Sequence, residues 1–159
     1  MRGQILQVVL AFFGSIFPAI LFNIDRRKIG WAGLCGALGW TAYLLVVGQT
    51  ANPIAASFIG SFVVGCYSEA MARKMKTPAF EFLIPGIFPL VPGFTVYTAL
   101  RLIVENDLSA ASSKGILAIA VGGSIGFGIM LSTAIFKFIT KIRKNRSRHI
   151  SLFGKTGKT

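Results

Sequence analysis

Between Ile84 and Gly93 the chain reads Ile-Pro-Gly-Ile-Phe-Pro-Leu-Val-Pro-Gly, so three of its six prolines fall inside one apolar run. The chemistry this spacing offers belongs to the backbone. An interior proline lacks an N–H and its ring collides with the preceding turn, and carbonyls freed in hydrocarbon must find partners in protein or in a water-lined cavity. Pro85-Gly86 and Pro92-Gly93 therefore mark a place where a helix fails and where its polar ends can meet a solute. If a second half-helix starts near Gly93, the amides of Phe94, Thr95 and Val96 present partial positive charge to a carboxylate. The first half, ending near Leu83 and Ile84, presents carbonyls to a cation. A zwitterion engages both ends, whereas a dicarboxylate needs the donor end and another positive group. Tyr97, one turn past Gly93, can add a hydroxyl to the same cavity. Arg101, two turns past, can meet a substrate carboxylate, pair with Glu105 at i+4, or snorkel outward. The competing reading of the whole segment is a kinked helix that packs against its neighbours and binds nothing.

Two carboxylates offer proton chemistry. Glu69 lies near the end of an apolar run and can pair with Arg73 at i+4, and Glu81 falls in a first helical turn, where the dipole favours an anion. Either is a candidate for coupling transport to a proton gradient, with an interfacial structural role as the alternative. No catalytic constellation accompanies them. His149 is the single histidine, and neither Gly-x-Ser-x-Gly nor His-Glu-x-x-His occurs. Gly154-Lys155-Thr156 resembles the end of a phosphate-binding loop but lacks the upstream glycine spacing. Cys35 and Cys66 lie inside apolar runs, where packing explains them better than a disulfide or a metal site does. The expectation is a protein without catalytic residues, metal or cofactor, and not an enzyme.

The elements that must position these residues are membrane spans. With 53% hydrophobic and 14% charged residues and 14 Phe in 159, the composition does not suit a soluble surface. Runs long enough to cross ~30 Å of hydrocarbon occur at 4–24, 30–49, 53–72, 79–104 and 115–138. The fold class that follows is all-α, a polytopic integral membrane helix bundle of about five spans whose fourth is broken by Pro and Gly. Residues 1–140 form one transmembrane domain and 141–159 a basic tail. Within the fourth span, 78–84 give about 10 Å of helix and 94–105 about 18 Å, so an irregular bridge from Pro85 to Gly93 is expected between them.

The net charge of +12 is a matter of topology. Arg26, Arg27, Lys28, Arg73, Lys74, Lys76, Lys137, Lys141, Arg143, Lys144, Arg146, Arg148, Lys155 and Lys158 share one side of a five-span chain, leaving Arg2, Arg101 and Lys114 for the other. The positive-inside rule then sets the amino terminus outside and the carboxyl terminus in the cytoplasm, in the cell's inner membrane. A cleaved signal in the first span would invert that asymmetry. The tail can also engage anionic headgroups of the bilayer, and nucleic acid is not an expected partner.

Small residues define packing faces. Gly30, Gly33, Gly36 and Gly39 recur every third residue, Ala56, Ser57, Gly60, Ser61 and Gly65 form small-xxx-small pairs, and Gly122 with Gly126 repeats the pattern. Asn52-Pro53 and Thr77-Pro78 each place a capping residue before a proline and mark the starts of the third and fourth spans. Trp31 suits an interfacial anchor, whereas Trp40 falls mid-span beside Thr41 and Tyr43.

The Ile84–Gly93 stretch with Val96-Tyr97, the Ala56-Ser57-Phe58 triplet after Asn52-Pro53, and Arg73-x-x-Lys76-Thr77-Pro78 together resemble the threonine/serine exporter family. The likeness is greatest to its short, half-size YjjB-type members and covers nearly the whole chain to about residue 140. It implies a chain similar to the carboxyl-terminal half of a full-length exporter, working with a larger YjjP-type membrane subunit. The implied cargo is threonine or serine for full-length relatives, or succinate for the two-component system. Five spans also make a poor transporter alone, because alternating access needs two repeats or bundles around a midplane site. Association with that subunit, or with copies of itself, is expected through the glycine faces.

Overall fold

The computed structural model describes residues 2–153, with side chains described for 3–142. Six helices follow in order: α1 Arg2–Leu21, α2 Arg26–Thr50, α3 Pro53–Met75, α4 Phe80–Ile87, α5 Gly93–Val104 and α6 Leu108–Phe153, with a 3-10 turn at Phe88–Leu90 after α4. α1, α2, α3 and the Leu108–Ile142 part of α6 are each long and apolar enough to cross a bilayer. Phe80–Leu90 and Gly93–Val104 qualify together as a fifth span, bent by 48°. The described residues contain no strand, and the all-helical membrane bundle is as expected.

Close contacts fix the direction of each helix. Gly33 lies against Phe12 and Ile16, and Gly36 against Ser15, so α1 and α2 are antiparallel. Gly39 meets Val64 and Gly60, while the Cys35 thiol lies 3.7 Å from the Val64 carbonyl, so α2 and α3 are antiparallel too. Gly128 fits against Ser61 and Gly65 against Ser132, an ascending register that makes α3 and α6 parallel. These approaches let backbones pack by dispersion where lipid removes any hydrophobic force between helices. Gly30, Gly122 and Gly126 depart from expectation: a Cβ on any of them would meet nothing within 4 Å. Small-residue periodicity marks a face able to pack; which face is used depends on where the neighbouring helix lies.

α4 is wedged between α1, α2 and α3, with Phe82 and Pro85 fully buried. A Cβ on Gly86 would stand 2.6 Å from the Cys35 sulfur and 2.9 Å from Val64 Cγ1. α5 leaves this wedge and packs on α6 alone among elements with substantial contact, burying only Ala99.

The basic segments gather at one end of the bundle. Arg73 donates to the Phe136 carbonyl at 3.0 Å, Lys74 stands over the Trp31 ring at 5.3 Å, and Lys28 reaches Glu81 at 2.9 Å. Helix ends follow capping rules in part. Asn52 Oδ1 accepts from the amides of Ile54 and Ala55 ahead of Pro53, as expected. Thr77 caps nothing, since α4 starts two residues after Pro78, with Ala79 at its N-cap position. Asn23, Lys76 and Asn106 instead take left-handed conformations and close α1, α3 and α5 with the amide of the following residue bonding five residues back. The backbone of the expected basic tail continues α6 as far as Phe153, and Gly154-Lys155-Thr156 lies outside the described residues.

Candidate functional site

The break is shorter than the proline spacing predicts. α4 runs through Pro85 to Ile87 and is extended by the 3-10 turn to Leu90, leaving only Val91 and Pro92 outside helical structure. Pro85 lies inside α4, the sixth of its eight residues, and the helix continues through it, while Pro89 sits in the first turn of the 3-10 segment. Pro92 makes the actual break. It forces Val91 into an extended conformation, φ −61° and ψ 129°, and α5 begins at the next residue.

The polar ends survive this correction, with shifted addresses. α5 has no side-chain cap, and its first ladder bond runs from the Val96 amide to the Pro92 carbonyl at 3.0 Å. Val96 is therefore occupied, while the amides of Phe94 and Thr95 have no intrahelical acceptor. Leu83 and Ile84 are interior to α4, so the expected carbonyl pole is not there. It moves to Pro89 and Leu90, whose carbonyls receive no backbone hydrogen bond among the described residues.

Both poles belong to residues lining one cleft of about 390 Å³. Its walls are Trp40 and Tyr43 of α2, Pro53 and Ser57 of α3, the segment Pro89–Thr95, and Leu117 and Val121 of α6. Pro53 opens α3, so the cleft lies in the half of the bundle away from the basic end. Ser57, which lines the cleft, is 1% exposed. The indole N–H of Trp40 is buried without a partner, and the ring stacks on Tyr43 at 4.9 Å. Unsatisfied polar groups are costly in an apolar interior, and beside a cleft they are poised for a polar solute. Trp40 and Pro89 also line a second cleft of about 260 Å³ with Gln7, Leu10, Ala11, Gly14 and Phe88, so the two form a shared wall.

The sequence-derived candidates divide accordingly. Pro92, Gly93 and Thr95 line the first cleft together. Pro85 and Gly86 do not; they are packing residues at the α2–α3–α4 contact. Tyr97 is 62% exposed and lies outside the cleft walls, and Arg101 is held by Glu105 at 2.8 Å, the structural alternative for that residue. Glu69 sits 4.0 Å from Arg73 as its i+4 spacing suggests. Glu81 is bonded to Lys28, a partner 53 positions away that local spacing cannot reveal. Ser57 and Trp40 were legible only as polar residues within apolar runs. No cluster of three metal-ligating side chains exists among the described residues.

No solved structure matches the chain. A family model described as Threonine/Serine exporter, ThrE matches residues 7–135, which reach into every span and include the break and all the residues that line the cleft. A bundle with a broken helix whose freed backbone groups line a cleft is the architecture expected of a small-solute carrier, and the chain belongs to the threonine/serine exporter family.

Proposed function

We propose that this protein is a subunit of a secondary exporter that moves a small carboxylate-bearing metabolite out of the cell, threonine or serine or a C4-dicarboxylate such as succinate. The observation that carries the reading is the cleft at Pro89–Thr95, where free amides, free carbonyls, the unpartnered Trp40 indole N–H and the buried Ser57 border one space. A carboxylate docks on the Phe94 and Thr95 amides, favoured by the partial positive charge of a helix start. An ammonium group is received by the Pro89 and Leu90 carbonyls. The basic end faces the cytoplasm of an inner-membrane protein, in keeping with the positive-inside rule, and α5 rises toward the outside. Glu69, in the longer and looser of the two ion pairs that involve the candidate carboxylates, is the proposed proton carrier. A larger YjjP-type subunit or a second copy of this chain closes the space that α5 leaves uncovered.

Counterflow of labelled threonine, serine and succinate into vesicles, with and without the partner subunit, tests this reading. Ser57→Ala is expected to lower counterflow about tenfold, equivalent to about 1.4 kcal/mol, with unchanged amounts of protein in the membrane. Unaltered counterflow would remove the cleft as the site. A second reading, a noncatalytic assembly subunit, is favoured by the packing role of Pro85 and Gly86. It requires that the partner alone transport at the full rate.

A further inference from the structure

A third cleft, of about 400 Å³, opens at the basic end of the bundle between the α1–α2 turn and the start of α4. Its walls are Phe22, Asn23, Ile24, Asp25, Lys28, Phe80, Glu81 and Ile84. Lys28 Nζ and Glu81 Oε2 stand 2.9 Å apart, and the two side chains are only 18% and 20% exposed. The other two ion pairs among the described residues each join positions four apart on one helix, so this one alone ties two helices together. It anchors α4, the element that carries the break at its far end.

We infer that this cleft is a vestibule for zwitterionic amino acids and that the Lys28–Glu81 pair selects them over dicarboxylates. The inference takes its class of ligand from the exporter reading and narrows it. A mostly buried pair can be opened without penalty only by a ligand that satisfies both members. An α-amino acid does so, with its carboxylate on the Lys28 ammonium and its ammonium on the Glu81 carboxylate. A dicarboxylate satisfies Lys28 alone and sets its second charge beside Glu81 and Asp25. The walls hold two carboxylates and one ammonium, so the local balance opposes a dianion although the surrounding end of the bundle is basic. Arg26 and Arg27, the cations adjoining Asp25 in sequence, are not among the wall residues. Breaking the pair frees the start of α4 to move against α2, which links occupancy of the vestibule to the break at Val91–Pro92, beyond the far end of α4.

Cysteine protection on the full chain in membrane vesicles tests this without relying on transport. Phe22→Cys and Phe80→Cys, each in a Cys66→Ala background, place a thiol on opposite walls, and maleimide labelling is timed with threonine, serine, alanine or succinate present. The amino acids are expected to slow labelling at least fivefold at saturation and succinate less than twofold. Glu81→Gln should abolish the difference between the two classes. The exchanged pair Lys28→Glu with Glu81→Lys should restore amino-acid protection, because a zwitterion can bind in the reverse sense. Equal protection by succinate, no protection by any amino acid, no labelling at either wall, or a Glu81→Gln variant with unchanged selectivity would each overturn the inference. Counterflow distinguishes its failure from that of the exporter reading: transport that persists without protection removes the vestibule alone, and protection without transport removes the transport role alone.

Discussion

At the scale of single residues, two Pro-Gly pairs that look equivalent in sequence do different work. Gly86 is enclosed, with Cys35 and Val64 inside the radius that a Cβ would need, whereas Gly93 has open space on the same test and no left-handed backbone. Gly86→Ala is expected to destabilise the protein by about 1–3 kcal/mol through overpacking, seen as a lower melting temperature in detergent. Gly93→Ala should melt like the parent while adding a methyl group to the cleft wall and slowing counterflow. Equal melting of the two variants would show that the α2–α4 contact is looser than these distances imply. Nothing in the chain order separates the two glycines, because the distinction comes from helices 20 and more residues away. The same holds for Glu81, whose first-turn position was legible and whose partner Lys28 was not. Arg101 with Glu105 and Glu69 with Arg73 were legible in full, since i+4 spacing on a helix is itself the contact.

At the scale of elements, the existence of a break was legible and its extent was not. Proline content in apolar sequence says that a ladder bond is lost; it does not say whether the helix tolerates the loss. Pro85, inside α4, and Pro89, at the start of the 3-10 turn, are absorbed into helical structure, and only Pro92, by forcing Val91 extended, turns the chain by 48°. Pro92→Ala is therefore the informative substitution. It restores a donor, lets Val91 adopt helical angles, and favours a straighter span in which the Phe94 and Thr95 amides are consumed by the ladder. Counterflow should fall at least tenfold with the amount of protein in the membrane unchanged. Pro89→Ala, at a position already helical, should change counterflow less than threefold. The opposite ranking would place the functional break in the 3-10 turn. The long α6 shows the complementary limit: the sequence locates its apolar middle, while the helix starts at Leu108, seven residues ahead of the expected span. Ser109, Ser112 and Ser113 lie within this added stretch of helix, where the Ser112 and Ser113 hydroxyls donate to the Ser109 carbonyl.

At the scale of the whole molecule, the bundle is closed on one side and open on the other. α1, α2, α3, α4 and α6 enclose two apolar clusters, one around Cys35, Val64, Leu90, Val121 and Ile125 and another around Ala19, Ala32, Met71 and Phe82. α5 lies outside that enclosure against α6, and a groove of about 470 Å³ between them is lined by Val96, Ala99, Leu100, Ile103 and facing residues of α6. Gly122, Gly123 and Gly126 have no neighbour that a Cβ would touch. Lipid can cover Leu or Ile there without loss, but a glycine surface gains contact only from another closely approaching backbone. A second helix from a partner subunit or another copy is the expected cover. Gly126→Cys should cross-link to that helix with a short bifunctional reagent in native membranes. Gly122→Leu with Gly126→Leu should weaken assembly without lowering the melting temperature of the isolated chain, because neither side chain meets anything within it. Failure of Gly126→Cys to cross-link in vesicles that transport would mean that α6 faces lipid during function, and the closing wall of the cleft would then have to come from movement of α5 itself.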